Sequence, residues 1–205
     1  MAYNHDKGMC YIVEEKNICF IPIPKNSSTT FRNNCPWEYK TDNFISNPAV
    51  LESNTVICII REPIERFVSG YLEVLIRSHD SPKTLEKDFF YIKSEPERFL
   101  EFIKEISQEF YDAHIEPQTY YITDNAGQIV KLDHIWLQTN TNKHFSALFE
   151  KQITGKSNSK NPSLKKGYIE FINKNNTIKK IIQNMYNKDI EFYNRILEEN
   201  NNDNQ

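Results

Sequence analysis

Two stretches of this chain carry side chains suited to anion chemistry. Pro24-Lys25-Asn26-Ser27-Ser28-Thr29-Thr30 follows one apolar run, and Arg61-Glu62-Pro63-Ile64-Glu65-Arg66-Phe67-Val68-Ser69-Gly70-Tyr71 follows another. The first places an ammonium and a run of hydroxyls at what reads as a strand-to-helix turn. Such a turn exposes backbone N–H groups at the helix start, where the helix dipole also favours an anion. In the second, Arg61 comes directly off a strand, and a guanidinium holds a phosphate through two parallel hydrogen bonds better than an ammonium does. Ser69 lies two helical turns on, off the apolar face, and offers a hydroxyl to the same anion. Paired turns of this kind suit a nucleotide with phosphates at both ends.

Each segment alone has a simpler explanation. The first is not the glycine-rich loop Gly-x-x-x-x-Gly-Lys-Ser/Thr, because its lysine precedes the hydroxyl run, and a helix capped by serine or threonine with no ligand accounts for it equally well. Arg61, Glu62, Glu65 and Arg66 could form solvated ion pairs on an amphipathic helix. The occurrence of both turns, each after a buried strand, favours a ligand.

The elements that position these residues follow from the apolar pattern. Ile18-Cys19-Phe20-Ile21-Pro22-Ile23 and Val56-Ile57-Cys58-Ile59-Ile60 suit parallel strands buried on both faces, although Pro22 lacks a ladder donor and sits poorly in a central strand. Ile64, Phe67, Val68, Tyr71, Leu72 and Leu75 recur at helical spacing after Pro63, which fits a first helical turn. Residues 78–87 read as a loop. A second helix is predicted from Pro96 through Phe99, Phe102, Ile103, Ile106 and Phe110, with Ser94 a candidate cap. A strand within 129–137, a helix over 144–151, a surface loop over 154–166 and a final helix from about Asn175, continuing or restarting through Ile196, complete the pattern. Residues 198–205 read as a disordered polar tail, leaving one domain over 1–197.

Bulk properties narrow the function classes. The chain has 205 residues, 39% of them apolar and 13% aromatic, enough to bury a core. A formal charge of -3 argues against a nucleic-acid binder, which would carry a basic surplus. Cys10, Cys19, Cys35 and Cys58 are scattered without a Cys-x-x-Cys pair, so a reduced cytoplasmic chain with free thiols is expected and a zinc site is not. No apolar stretch approaches the roughly 20 residues of a membrane span.

The pattern Arg61, Glu62-Pro63, Arg66 and Ser69 resembles the sulfotransferases that use 3'-phosphoadenosine 5'-phosphosulfate (PAPS), especially the carbohydrate branch with the chondroitin, heparan 2-O and HNK-1 enzymes. Lys25, Ser28 and Thr29 match that family's Pro-Lys-x-Gly-Ser-Thr, with Ser27 standing where glycine is common. If that position needs a positive φ, Ser27 carries strain that glycine would not. Tyr111-Asp112-Ala113-His114-Ile115-Glu116-Pro117-Gln118 is similar to the family's His-x-x-Pro-Gln segment. Lys131-Leu132-Asp133-His134-Ile135-Trp136-Leu137-Gln138 resembles its Asp-x-(apolar) strand, with Gln138 in place of a terminal Glu. Met185 to Tyr193 looks like its Tyr-x-x-Asp helix.

The resemblance implies an α/β fold, a P-loop-like three-layer sandwich whose central, mostly parallel sheet is flanked by helices. It implies in-line sulfuryl transfer from PAPS to a hydroxyl or amine, without a metal. Lys25 would stabilise the departing oxygen; Asn26, Ser27, Ser28, Thr29 and Thr30 would hold the 5'-phosphate, and Arg61 with Ser69 the 3'-phosphate. Arg66 is expected to be structural, paired with a carboxylate. His114 is the candidate general base, with Glu38, Asp42 and Glu52 as acidic alternatives. His5, His79, His134 and His144 read as surface or structural. A saccharide is the implied acceptor, then a small metabolite. The competing functions are an ATP-dependent P-loop-fold phosphotransferase, which would need Mg²⁺ and an acidic ligand for it, and a nucleotide-binding module without catalysis.

Overall fold

A computed structural model of the chain describes residues 7–80, 95–106, 112–154 and 162–202. The candidate cap Ser94, as well as His5 and Phe110, lie outside them. The described residues group into two compact units: one takes in those of 63–116 and 160–187, the other those of 4–62, 117–159 and 188–205. No helix among the described residues is long and apolar enough to cross a membrane.

The second unit is built on a five-stranded mixed sheet, order β3-β1-β2-β4-β5, with strands β1 (Met9–Val13), β2 (Ile18–Ile21), β3 (Lys40–Asn43), β4 (Thr55–Ile60) and β5 (His134–Leu137). β2, β4 and β5 run parallel, while β1 is antiparallel to both β2 and β3. β2 and the last five residues of β4 are buried on both faces, as central parallel strands should be. Pro22 causes no conflict, because β2 ends one residue before it.

Helix α1 (Ser28–Asn34) covers one face of this sheet and α2 (Ala49–Glu52) leads into β4. Phe31 of α1 stacks on Phe20 with ring centres 4.2 Å apart, and Phe145, Phe149 and Ile57 close the same cluster. That stack fixes the roll of α1, and with it the direction of the turn before the helix. β5 takes its register from Asp133, whose N–H donates to the Val56 carbonyl at 2.9 Å and whose carboxylate accepts the Val56 N–H at 2.8 Å.

The other unit is helical, comprising α3 (Pro63–Asp80), α4 (Glu95–Ile106), α6 (Pro162–Lys174) and α7 (Asn176–Met185). Its core joins Phe67, Tyr71, Phe99, Phe102, Ile172 and Tyr186. The sheet unit also carries α5 (Thr141–Leu148), and α8 (Asn187–Asn202) ends the described chain.

Several boundaries differ from the sequence expectation. α3 continues through residues 78–80, α5 starts at Thr141 instead of 144, and α6 begins at Pro162 inside the expected loop. Residues 198–202, expected in the tail, extend α8, where Asn200 donates back to the Ile196 carbonyl at 2.7 Å. Polarity suggested loops, but a helix already anchored by an apolar face gains a hydrogen bond for each added residue, and exposed polar side chains do not stop it. The final helix does restart: α7 ends at Met185, Tyr186 caps it, and α8 follows directly.

Candidate functional site

The two predicted turns leave neighbouring parallel strands. β2 pairs β4 with Ile21 opposite Cys58, so Pro22-Ile23-Pro24-Lys25 and Ile60-Arg61 emerge side by side from the carboxyl edge of the sheet. Crevices at that edge are where open α/β sheets bind ligands. Arg61 is 8% exposed, and its guanidinium donates to the Lys25 carbonyl at 3.2 Å. The Arg61 side chain thus touches the backbone of the first turn at Lys25.

The backbone of the first turn is unusual. Lys25 and Ser27 both have positive φ, 66° and 65°. Left- and right-handed residues alternating along a turn can gather N–H groups into an anion-binding concavity; here the Asn26 N–H, between Lys25 and Ser27, donates to the Ile23 carbonyl at 3.1 Å. The Ser27 hydroxyl makes no capping bond to α1 and lies 3.4 Å from the Thr141 hydroxyl. The ordinary serine-capped helix start is thus not what the chain adopts. The conditional expectation at Ser27 is met: it occupies a glycine-type conformation and bears the strain of doing so. Ser28 and Thr30 are half-buried and Thr29 is exposed.

A buried amide ties both turns together. Gln118 is fully buried; its Nε2 donates to the Arg61 carbonyl at 2.9 Å, while its Oε1 accepts the Arg61 N–H at 3.1 Å and Asn26 Nδ2 at 2.9 Å. Asn26, also fully buried, donates in addition to the Ile59 carbonyl at 2.9 Å. Asn26 is therefore a brace for the turn. Behind Gln118, the buried Asp189 carboxylate accepts the N–H groups of Gln118 and Thr119, at 2.7 and 2.9 Å, and the Thr119 hydroxyl at 2.7 Å.

The profile of the sulfotransferase family matches residues 6–195. The chain belongs to the sulfotransferase family. Comparisons with curated proteins and with solved structures give no match. Membership supports sulfuryl transfer as the general activity.

In the helical unit of this sulfotransferase, Ser69 is half-buried on α3 and Gly70 beside it is buried. A Cβ on Gly70 would fall 2.1 Å from the His114 carbonyl oxygen. Only glycine lets α3 approach that segment so closely. The next two carbonyls are held as well, Ile115 by the Tyr186 hydroxyl and Glu116 by the Arg66 guanidinium. Arg66 is thus a buried structural residue, and this bond runs to a backbone carbonyl. His114 Nδ1 lies 2.6 Å from Asp112 Oδ1, with the two side chains 14% and 16% exposed.

The remaining candidates lie elsewhere. Glu38 and Glu52 are exposed. Asp42 sits on the edge strand β3, where its carboxylate accepts from the Asn43 N–H at 2.7 Å and Asn47 Nδ2 at 3.1 Å. His134 and His144 flank Trp136, the latter stacked at 4.8 Å; burial, then the neighbouring Lys143, holds His144 below the ordinary histidine range. Gln138, at the position of the family's Glu, starts a 3₁₀ turn and accepts from the Thr141 hydroxyl through its carbonyl. Cys58 is fully buried, which pushes its thiol up to about 12. Among the described residues, no group of three or more His, Cys, Asp or Glu could hold a metal ion.

The clamp residues Gln118 and Asp189, the orienting contact of Asp112 and the notch at Gly70 were not singled out from the sequence. Their signals were present in the quoted motifs: Gln118 ends His-x-x-Pro-Gln, Asp189 belongs to Tyr-x-x-Asp, and Gly70 follows Ser69.

Proposed function

We propose that this sulfotransferase takes its sulfuryl group from PAPS, within a P-loop-like fold, and delivers it to a hydroxyl or amine of a saccharide, as in the carbohydrate branch. The observation that carries this reading is the adjacency of two anion turns on neighbouring parallel strands, with the Arg61 guanidinium on the Lys25 carbonyl. In this reading, the turn formed by Asn26, Ser27, Ser28, Thr29 and Thr30 presents the backbone N–H groups and hydroxyls of residues 27–30 to the 5'-phosphate, with the buried Asn26 bracing it. Arg61, with Ser69, holds the 3'-phosphate. Lys25 balances the charge that develops on the bridging oxygen as it leaves. Positioning and electrostatics of this kind are what a group transfer with no covalent enzyme intermediate requires. His114 receives the proton of the acceptor hydroxyl.

Calorimetric titration separates this reading from ATP-dependent phosphotransfer and from an empty scaffold. Adenosine 3',5'-bisphosphate is expected to bind without metal and more tightly than ATP, with or without Mg²⁺. Lys25→Ala and Arg61→Ala should each weaken it by about 10- to 100-fold, the worth of a charge-assisted phosphate contact. Tighter binding of Mg²⁺-ATP, or bisphosphate binding indifferent to both substitutions, overturns the assignment. Bisphosphate binding that persists without sulfate transfer to any saccharide leaves a binding module in place of an enzyme.

A further inference from the structure

We infer that Asp112 is a positioning residue that holds the neutral His114 ring with its proton on Nδ1, so that Nε2 presents the lone pair that takes the acceptor's proton. The inference rests on the reading of His114 as general base and goes beyond it by assigning the group that makes the ring competent. Asp112 Oδ1 lies 2.6 Å from His114 Nδ1. An aspartate carboxylate ordinarily carries no proton near pH 7 and can only accept, so the hydrogen in that contact belongs to the ring. A neutral imidazole protonated at Nδ1 has its acceptor at Nε2.

The segment around the ring is fixed independently. Asp112 Oδ1 also accepts the His114 N–H at 2.7 Å, and the Asp112 carbonyl accepts the N–H groups of Ile115 and Glu116 at 3.0 and 3.1 Å. The backbone bond is an Asx turn that any residue at 114 could make. The ring contact is additional, because it needs a donor at Nδ1. With carbonyls 114, 115 and 116 set by the Gly70 notch, Tyr186 and Arg66, the histidine backbone has little freedom, and the carboxylate removes the choice of tautomer.

The proton balance follows. As the acceptor oxygen bonds to sulfur, the bond from sulfur to the bridging oxygen breaks and that oxygen leaves with the electron pair. The acceptor's proton moves to Nε2. The ring then carries a proton on each nitrogen and a positive charge, and its bond to Asp112 becomes charge-assisted.

The tautomer of the histidine, read by two-bond ¹H–¹⁵N correlation on the full chain at pH 7.5 with adenosine 3',5'-bisphosphate bound, decides the matter. The wild-type ring should carry its proton on Nδ1. Asp112→Ser keeps a hydroxyl oxygen that can accept the backbone N–H of the turn but is one bond too short to serve the ring as Oδ1 does. It should move the proton toward Nε2 and slow PAPS turnover, measured with water as acceptor, by about 10²- to 10⁴-fold at unchanged bisphosphate affinity. A wild-type ring protonated on Nε2 overturns the inference. So does an Asp112→Ser variant that keeps either the Nδ1–H tautomer or full turnover, and so does a loss of turnover matched by an equal loss of bisphosphate affinity. His114→Gln tests the parent reading separately: full turnover in that variant removes His114 as base, whereas a slow His114→Gln beside an unaffected Asp112→Ser sinks only the role of Asp112.

Discussion

Replacing Gln118 breaks the link between the turns that follow β2 and β4 at one point. In Gln118→Leu, apolar and one heavy atom smaller, three buried hydrogen bonds disappear: those to the Arg61 carbonyl, the Arg61 N–H and Asn26 Nδ2. Leaving a buried partner unsatisfied costs about 1–3 kcal/mol, so with partial relaxation the three together should cost about 3–6 kcal/mol. That is a large part of the roughly 5–15 kcal/mol that holds a typical domain. Gln118→Glu keeps the shape and isolates the electrostatics. One new oxygen would sit where Nε2 now lies 2.9 Å from the Arg61 carbonyl, so the two would repel unless the carboxyl is protonated. Burial disfavours the charged form by more than the neutral donors at the other oxygen restore, which raises the carboxyl's folded pKa above its unfolded value of about 4.3. Its stabilising contribution is therefore complete below about pH 4.3 and is lost as pH rises toward the folded value, by up to about 1.4 kcal/mol per pH unit. Urea unfolding of wild type and both variants at pH 4.5, 5.5, 6.5 and 7.5, followed by circular dichroism, measures this. A Leu variant within about 1 kcal/mol of wild type would refute the clamp, as would a Glu variant whose deficit is the same at every pH.

Three further outcomes are expected. Gly70→Ala should destabilise by at least about 1–3 kcal/mol in chemical denaturation, because the new methyl meets the His114 carbonyl and one backbone must move. Ser27→Gly should leave bisphosphate affinity within about threefold and raise stability by up to about 1 kcal/mol, the relief of a left-handed serine less the entropy that glycine adds to the unfolded chain, whereas Ser27→Val should lose stability. His144 has a lowered folded pKa, so the unfolded chain binds more protons below its own value near 6.5; stability should fall as pH drops from about 7 toward 5, and His144→Phe should flatten that slope in thermal unfolding followed against pH.

The parts of this molecule legible in the sequence are those set by neighbours along the chain. The apolar runs at 18–21 and 56–60 marked β2 and β4, because strands buried on both faces leave no room for polar alternation. Pro63 and the spacing of Ile64, Phe67, Val68 and Tyr71 marked the start of α3 for a similarly local reason. Helix ends were less legible, since the largely polar sequence at 78–80, 162–166 and 198–202 is compatible with both a loop and the end of a helix.

Residue order thus determined that a lysine with hydroxyls follows one strand and an arginine follows another. Only the tertiary structure decided that the two turns meet, through pairing of β2 with β4, and that Gln118 binds Arg61 and Asn26 across 57 and 92 residues while Asp189 supports it across 71. Spacing along the chain says nothing about such contacts. A buried amide or carboxylate takes whatever partner the packed fold brings within about 3 Å, and that partner is chosen by the packing of the whole core.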